Sequence, residues 1–391
     1  MWFPYGHHLA AILAHCCPRP GGQPSSGSLS MSSFAFACAI PSGFCLRRVA
    51  GLFGAAGLLF ALAACTQAPG KTSASPGNGD VSVSAISGEP ALTVVTTRNP
   101  VKAARSSPWF GTERANQASQ ARVKLTTPQQ SSFASVGMGD WGIAGVEAIP
   151  VGEGLSRGNG RRDVLIYVHG FNQSFETATL DAARLSDGIR FRGETMLFSW
   201  PSKGSVTDYI YDRESAMWSR DAFEAMLEQL IADPDVGRIN IVAHSMGTML
   251  TVEVLRQLSD RRGAAVAGRF GAIVLAAPDI DFDVFAASVN RIGPLTDKVT
   301  VLIASNDRAL DVMRRLAGGV TRVGAAEAEK LQALGLRVID ASKVGKGAIN
   351  HDLFLSDARV REQVRLAIDK APGAPAYAGA ASPAPSSDFN P

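Results

Sequence analysis

The chain has 391 residues, 46% of them apolar and 19% charged, which is enough core-forming material for one large α/β domain or two small ones. Its net charge of +3 is near balance, and the arginine pairs at 161–162, 261–262 and 314–315 are dispersed. It lacks the basic stripe of a nucleic-acid binder, so those pairs read as solvated surface charge.

All five cysteines, Cys16, Cys17, Cys38, Cys45 and Cys65, precede residue 66. Arg47 and Arg48 lead into the uncharged stretch 49–64, which ends in Leu62-Ala63-Ala64 ahead of Cys65. A basic start, an apolar run of about 15 residues and small residues at the cut make a secretory leader. The run falls short of the ~20 residues a spanning helix needs. Residues 1–64 are therefore read as a signal region. It begins naturally near Met31, so 1–30 are expected to lie upstream of the true start. Because a cysteine follows the small pair, the segment resembles a bacterial lipobox. The resemblance implies cleavage before Cys65, acylation of its thiol and new amino group, and stable anchoring, each buried methylene contributing roughly 0.8 kcal/mol. A plain signal peptide would leave Cys65 an ordinary thiol. Thr66, in place of an acidic residue, implies by resemblance to Gram-negative lipoproteins the outer membrane, with the domain in the periplasm or at the surface; retention at the inner membrane is the alternative. On this reading the mature chain has neither disulfides nor thiolate metal sites.

Residues 65–89 are rich in Ser, Gly, Pro, Ala and Thr and read as a flexible tether, and 371–391 as a disordered Ala- and Pro-rich tail. A single domain is expected over 90–370. Its strand candidates are 92–97, 164–168, 195–200, 239–243, 272–276, 299–304 and 336–339, with a further edge strand over 141–149. Most are continuous apolar runs, as in a parallel sheet covered on both faces. Helical spacing marks 175–185, 212–231 and 246–258, and a last helix reaching Ile368 with Ser356 as its N-cap. Alternating strands and helices predict an α/β fold, a doubly wound and mostly parallel sheet with helices on both faces.

The run Ile241-Val242-Ala243-His244-Ser245-Met246-Gly247 drives a β-branched strand into a serine between small residues and then into a helix. Such a sequence turns sharply enough to raise the serine hydroxyl clear of the backbone, and Ser245 is the candidate nucleophile. Serine is weakly nucleophilic at neutral pH and needs a base, an orienting group and oxyanion donors. The mature chain offers three histidines. His244 adjoins the serine, so its side chain leaves the turn in another direction. His169 ends a strand in His169-Gly170-Phe171-Asn172. His351 lies in a loop beyond the last strand candidate and is the expected base. Asp307, which follows the next-to-last strand, is favoured as its orienter over Asp279, which follows the strand before; either also fits a helix cap. The oxyanion donors are expected to be the backbone N–H groups of Met246, at the start of its helix, and of Phe171, with Gly170 allowing close backbone approach. Ala243, His244, Gly247, His169 and Gly170 support the turn and the loop.

Taken in order, His169-Gly170-Phe171-Asn172, Trp200-Pro201-Ser202, Ala243-His244-Ser245-Met246-Gly247, Ala277-Pro278-Asp279-Ile280-Asp281, Ser305-Asn306-Asp307 and Asn350-His351-Asp352 resemble a bacterial alpha/beta-hydrolase family, that of esterase/lipase superfamily proteins of unknown function. The resemblance covers about 90–370 and implies the alpha/beta-hydrolase fold and a Ser245, Asp307, His351 triad. Ala243 stands where many hydrolases have the first glycine of the turn, and is small enough to keep strand and helix close.

Asp279, Asp281 and Asp283 alternate like a calcium loop, but Val284 and Asn290 stand where glycine and glutamate belong. No zinc-type histidine pair or phosphate loop occurs, so neither metal nor cofactor is expected. Trp200, Tyr209, Tyr211 and Phe282 fit a pocket lining or plain core. Only residues 278–298 separate two strand candidates where many lipases insert a lid, which favours soluble esters of short or medium acyl chain over triglyceride droplets. The expectation is a lipid-anchored serine esterase of the cell envelope. An amidase, thioesterase or acyltransferase would use the same triad, and a non-catalytic scaffold would keep the same fold.

Overall fold

The computed structural model describes residues 90–102, 105–127, 141–150, 153, 161–316, 319–344 and 350–371. The expected signal region 1–64, the tether 65–89 with Cys65 at its head, and the tail beyond Ala371 lie outside the described residues.

Nine strands form one sheet in the order β3-β2-β1-β5-β4-β6-β7-β8-β9. They are β1 (Ala91–Pro100), β2 (Phe110–Thr126), β3 (Gly142–Ala148), β4 (Arg162–Val168), β5 (Glu194–Ser199), β6 (Val236–His244), β7 (Phe270–Ala276), β8 (Val299–Ile303) and β9 (Arg337–Asp340). β1, β2 and β3 pair antiparallel, and every pairing from β1–β5 to β8–β9 is parallel. Every expected strand is present. β2 was not foreseen: its first ten residues are half-buried or exposed, and only Ala121, Val123 and Leu125 alternate inward.

The strand side chains divide by parity, as a two-fold pleat requires. Val164, Ile166, Val168, Ile239, Ile241 and Ala243 meet one helical layer. It contains α2 (Tyr209–Trp218), α3 (Arg220–Ala232), α4 (Met246–Arg262) and α5 (Phe282–Ile292). Leu165, Tyr167 and Val242 meet the other, made by α1 (Phe175–Gly188), α8 (Leu353–Ser356) and α9 (Ala358–Asp369). Two further helices, α6 (Arg308–Leu316) and α7 (Ala328–Gln332), follow β8.

Two helical expectations need correction. The run 212–231 is two helices that break at Ser219, whose hydroxyl bonds the Ser215 carbonyl and pairs with Thr97 Oγ1. The apolar stripe runs through the break because both halves face the same sheet, so periodicity did not mark it. The last helix is capped by Asp357 rather than Ser356; Asp357 accepts from the N–H groups of Arg359 and Val360, while Ser356 closes α8.

From β4 the chain runs to β5 on one side and then crosses back to β6 on the other. The carboxyl ends of β4 and β6 thus flank the topological switch point, where open α/β sheets form their ligand crevice. The segments at those ends are His169-Gly170-Phe171 and His244-Ser245.

Candidate active site

Ser245 sits between the last residue of β6 and the first of α4 with φ 48° and ψ −118°. A non-glycine residue in that region is strained by about 1–3 kcal/mol and needs its surroundings to hold it. The holding contacts are present. Ser245 N–H donates to Ala276 O at 2.9 Å, and Ser245 O accepts from Thr248 N at 3.0 Å, Thr248 Oγ1 at 2.6 Å and Asp279 N at 3.3 Å. A Cβ on Gly247 would fall 2.3 Å from His169 O, and one on Gly170 would fall 3.1 Å from Ser245 Cβ. Both glycines therefore permit a backbone approach that alanine would not, and they draw the turn and the β4 loop together. Ala243 is fully buried inside β6, so a methyl group fits the position where many hydrolases carry glycine.

His351 Nδ1 lies 2.7 Å from Asp307 Oδ2. Asp307 is itself fixed, since its Oδ1 accepts from Ala309 N and Leu310 N at the start of α6. Its capping and pairing roles, alternatives in the sequence, thus coexist on separate oxygens. Burial pulls the His351 imidazole pKa down, but Asp307, then Asp279 and Asp352, more than offset it and hold it above the ordinary histidine value. With Nδ1–H directed at the carboxylate, the neutral ring leaves Nε2 as an acceptor, the form a general base needs. The ring packs 4.7 Å from that of His244, the residue before the serine. Among the described residues Ser245 Oγ makes no hydrogen bond, to His351 Nε2 or to any other group.

Met246 begins α4, so its N–H has no helical carbonyl four residues back and is free for an external acceptor. Phe171 is half-buried, its ring edge-on to Tyr209 at 5.5 Å. His169 is buried, stacked 4.6 Å from Trp200 and bonded through Nδ1 to Gly170 O at 2.8 Å. Burial, reinforced by Arg98, lowers its pKa to about 3, so it is a neutral loop brace.

Three charged groups escaped sequence reasoning. Arg98 reaches Gln173 O at 2.6 Å, Ser202 O at 3.1 Å, Gly111 O at 3.2 Å and Ser199 Oγ at 2.9 Å. Asp212 accepts from Asn172 N, the Ser202 hydroxyl and Lys203 N. Together they brace the 169–173 loop from behind, where Asn172 takes a left-handed φ of 59°. Arg322 pairs with Asp279, so Asp279, the other candidate orienter, serves Arg322 and the Tyr209 hydroxyl rather than the His351 ring. No local pattern announces these residues, because each partner comes from a distant segment.

Residues 152–367 match the family described as "Alpha/beta hydrolase of unknown function (DUF900)", more than half of the chain. The chain belongs to that family. As an alpha/beta hydrolase it has the fold expected from the sequence, and the family supports hydrolase activity. The uncharacterized protein alr1448 of Nostoc sp. (strain PCC 7120) is 40% identical over 62 residues, 16% of each chain. The match thus spans under a fifth of that relative's length. Among solved structures, an esterase of Pyrobaculum calidifontis is 13% identical, with 72% of this chain and 86% of that chain covered at a TM-score of 0.34. Est1E of Butyrivibrio proteoclasticus is 11% identical, with 64% and 96% covered at a TM-score of 0.33. Among the described residues no group of three or more His, Cys, Asp or Glu is placed to hold a metal ion, and no helix is long and apolar enough to cross a membrane.

Proposed function

We propose that the chain is a serine hydrolase acting on carboxylic esters, held at the cell envelope by a lipid on Cys65. The observation that carries the catalytic reading is a strained Ser245 at the switch point, next in the chain to His244, whose ring lies 4.7 Å from an imidazole whose Nδ1 is held 2.7 Å from Asp307. As the Ser245 oxygen attacks an ester carbonyl, His351 Nε2 takes its proton, and Asp307 stabilises the imidazolium. The Met246 and Phe171 N–H groups would receive the charge that develops on the carbonyl oxygen. The protonated His351 then returns its proton to the leaving alcohol, and water repeats the sequence on the acyl-enzyme. The segment between β7 and β8 holds α5 and one short 3-10 turn, with no lid domain, which supports small soluble esters as substrates. The anchor rests on the lipobox-like Leu62-Ala63-Ala64-Cys65.

A fluorophosphonate probe on native membranes tests both halves. Labelling of the wild type but not of Ser245→Ala, followed by turnover of short-chain model esters, supports the mechanism; equal labelling of both, or of neither, refutes it in favour of a scaffold. Cys65→Ser should move the labelled protein from the membrane to the soluble fraction, and unchanged membrane association would refute the anchor.

A further inference from the structure

His244 was expected only to support the turn, yet its ring is a tie between two loops. Nε2 lies 3.2 Å from His351 O, and a carbonyl oxygen can only accept, so Nε2 carries the hydrogen. The ring is buried, and burial, then the charge of His351, drives its pKa well below the ordinary value, so it is neutral and its Nδ1 is a bare lone pair. That Nδ1 has no hydrogen-bond partner among the described residues and faces Gly170, where a Cβ would come within 2.9 Å of it. The ring centroid lies 4.7 Å from that of the His351 ring and 4.8 Å from that of Phe354, both rings tilted against it. A buried acceptor without a donor is a cost that a hydrocarbon ring of similar shape would not carry. What a histidine offers here beyond bulk is its Nε2–H.

We propose that His244 is a positioning residue that fixes the backbone of His351, so that Asp307 sets the ring and His244 sets the strand of chain bearing it, together aiming Nε2 at Ser245. The proposal rests on the triad reading above. Among the described residues the His244 ring is the hydrogen-bond partner of the His351 carbonyl, while its neighbours are held separately, Asn350 Nδ2 by Asn306 O at 3.4 Å and Asp352 O by the N–H groups of Leu355 and Ser356 in α8. Without the His244 bond the His351 carbonyl loses its partner and the imidazole drifts from Asp307.

The test compares His244→Phe and His244→Met, which keep bulk without a donor, with His244→Gln, whose amide restores one at similar reach. Two readouts are taken on the full chain: the rate of fluorophosphonate labelling, and the titration of His351 followed by nitrogen NMR of labelled histidine. The groups that face His351 are Asp307, Asp279, Asp352 and His244 itself, and only the last changes. The donorless variants should label between about tenfold and 10²-fold more slowly, the scale of a small misplacement. Their His351 pKa should fall as the Asp307 contact loosens, and Gln should recover most of both. Unchanged rates and titration in the donorless variants, or Gln falling as far as Phe, would overturn the proposal. Should Phe fail to fold, the Met and Gln pair carries the same comparison. A wild type that never labels would count against the triad reading alone, since the His351 titration still decides the role of His244.

Discussion

Arg322 Nε and Asp279 Oδ1 stand 3.0 Å apart, both side chains almost wholly withdrawn from solvent. The N–H does not point along the line to the oxygen, so the contact is a charge pair rather than a hydrogen bond. It lies against the Ser245 turn, because Asp279 N also bonds Ser245 O, and Val323 and Gly324 bond Ile280 and Pro278. Arg322→Met would leave Asp279 buried and uncompensated, which costs about 3–5 kcal/mol where one partner of a buried pair is removed. Urea unfolding should show that loss, and Asp279→Asn with Arg322→Met should restore much of it. A single-variant loss below about 1 kcal/mol would mean that the pair is not isolated from water.

Gly247→Ala should be disproportionately harmful for one methyl group. Its Cβ would meet His169 O at 2.3 Å and Val168 O at 2.8 Å, both backbone atoms that cannot swing aside. Overpacking of this kind costs about 1–3 kcal/mol, and here relief requires the turn to part from the loop that carries Phe171. Thermal unfolding should register the first effect and slower probe labelling of Ser245 the second.

These contacts also mark what was legible in the chain. β4, β6, β7 and β8 read correctly because strands buried on both faces leave mostly continuous apolar runs, broken only by the buried Asn240 in the 239–243 run of β6 and Thr300 in β8, and the order of loop motifs followed from the positions those strands impose. Asp307 and Asp279 were indistinguishable by type; the structure separates them because only Asp307 lies within reach of the His351 ring, while Arg322 occupies Asp279. β2 was invisible because a solvent-facing antiparallel strand has little apolar periodicity, and the Ser219 break because the helices on either side of it carry their apolar stripes to the same sheet.

Hydrolysis should show an acid limb set by His351. The base must be neutral to accept the serine proton, and its pKa is held above the ordinary value near 6.5. Activity is therefore expected to fall as pH drops through a point above 6.5. Asp307→Asn should move that limb to lower pH, because the carboxylate that raises the pKa is gone, and should lower kcat by about 10⁴ as the wrong tautomer is favoured. A pH–rate profile of both proteins on one soluble ester checks this, and coincident limbs would exclude His351 as the titrating base.

Stability should carry the opposite histidine signature. His169 has a folded pKa lowered to about 3, first by burial and then by Arg98, and His244 is lowered for the same leading reason. A depressed folded pKa means that the unfolded chain binds the proton first, so this stability is complete above the unfolded value near 6.5. It is then lost as pH falls toward 3, at up to about 1.4 kcal/mol per pH unit for each group. His351, raised instead, acts in the reverse sense: its share is complete below 6.5 and is lost as pH climbs through its folded value. Urea midpoints measured across that range should therefore drop on the acid side, and His169→Gln should flatten the slope.

Arg98 braces the 169–173 loop without touching the His351–Asp307 pair. Its guanidinium spans four acceptors, three of them backbone carbonyls, and burial holds its pKa down at about 10, so it stays charged at neutral pH. Lysine keeps the charge but cannot fork to Gln173 O, Ser202 O and Gly111 O together. Because hydrogen bonds to a charged group contribute about 1.5–3 kcal/mol each and the orphaned carbonyls remain buried, Arg98→Lys should destabilise by about 3 kcal/mol. Gln173 follows the Phe171-Asn172 pair, so slackening it should also slow Ser245 labelling while leaving the His351–Asp307 contact, and hence the acid limb, where it was. A shift of that limb in Arg98→Lys would show that the brace reaches His351 as well as the 169–173 loop.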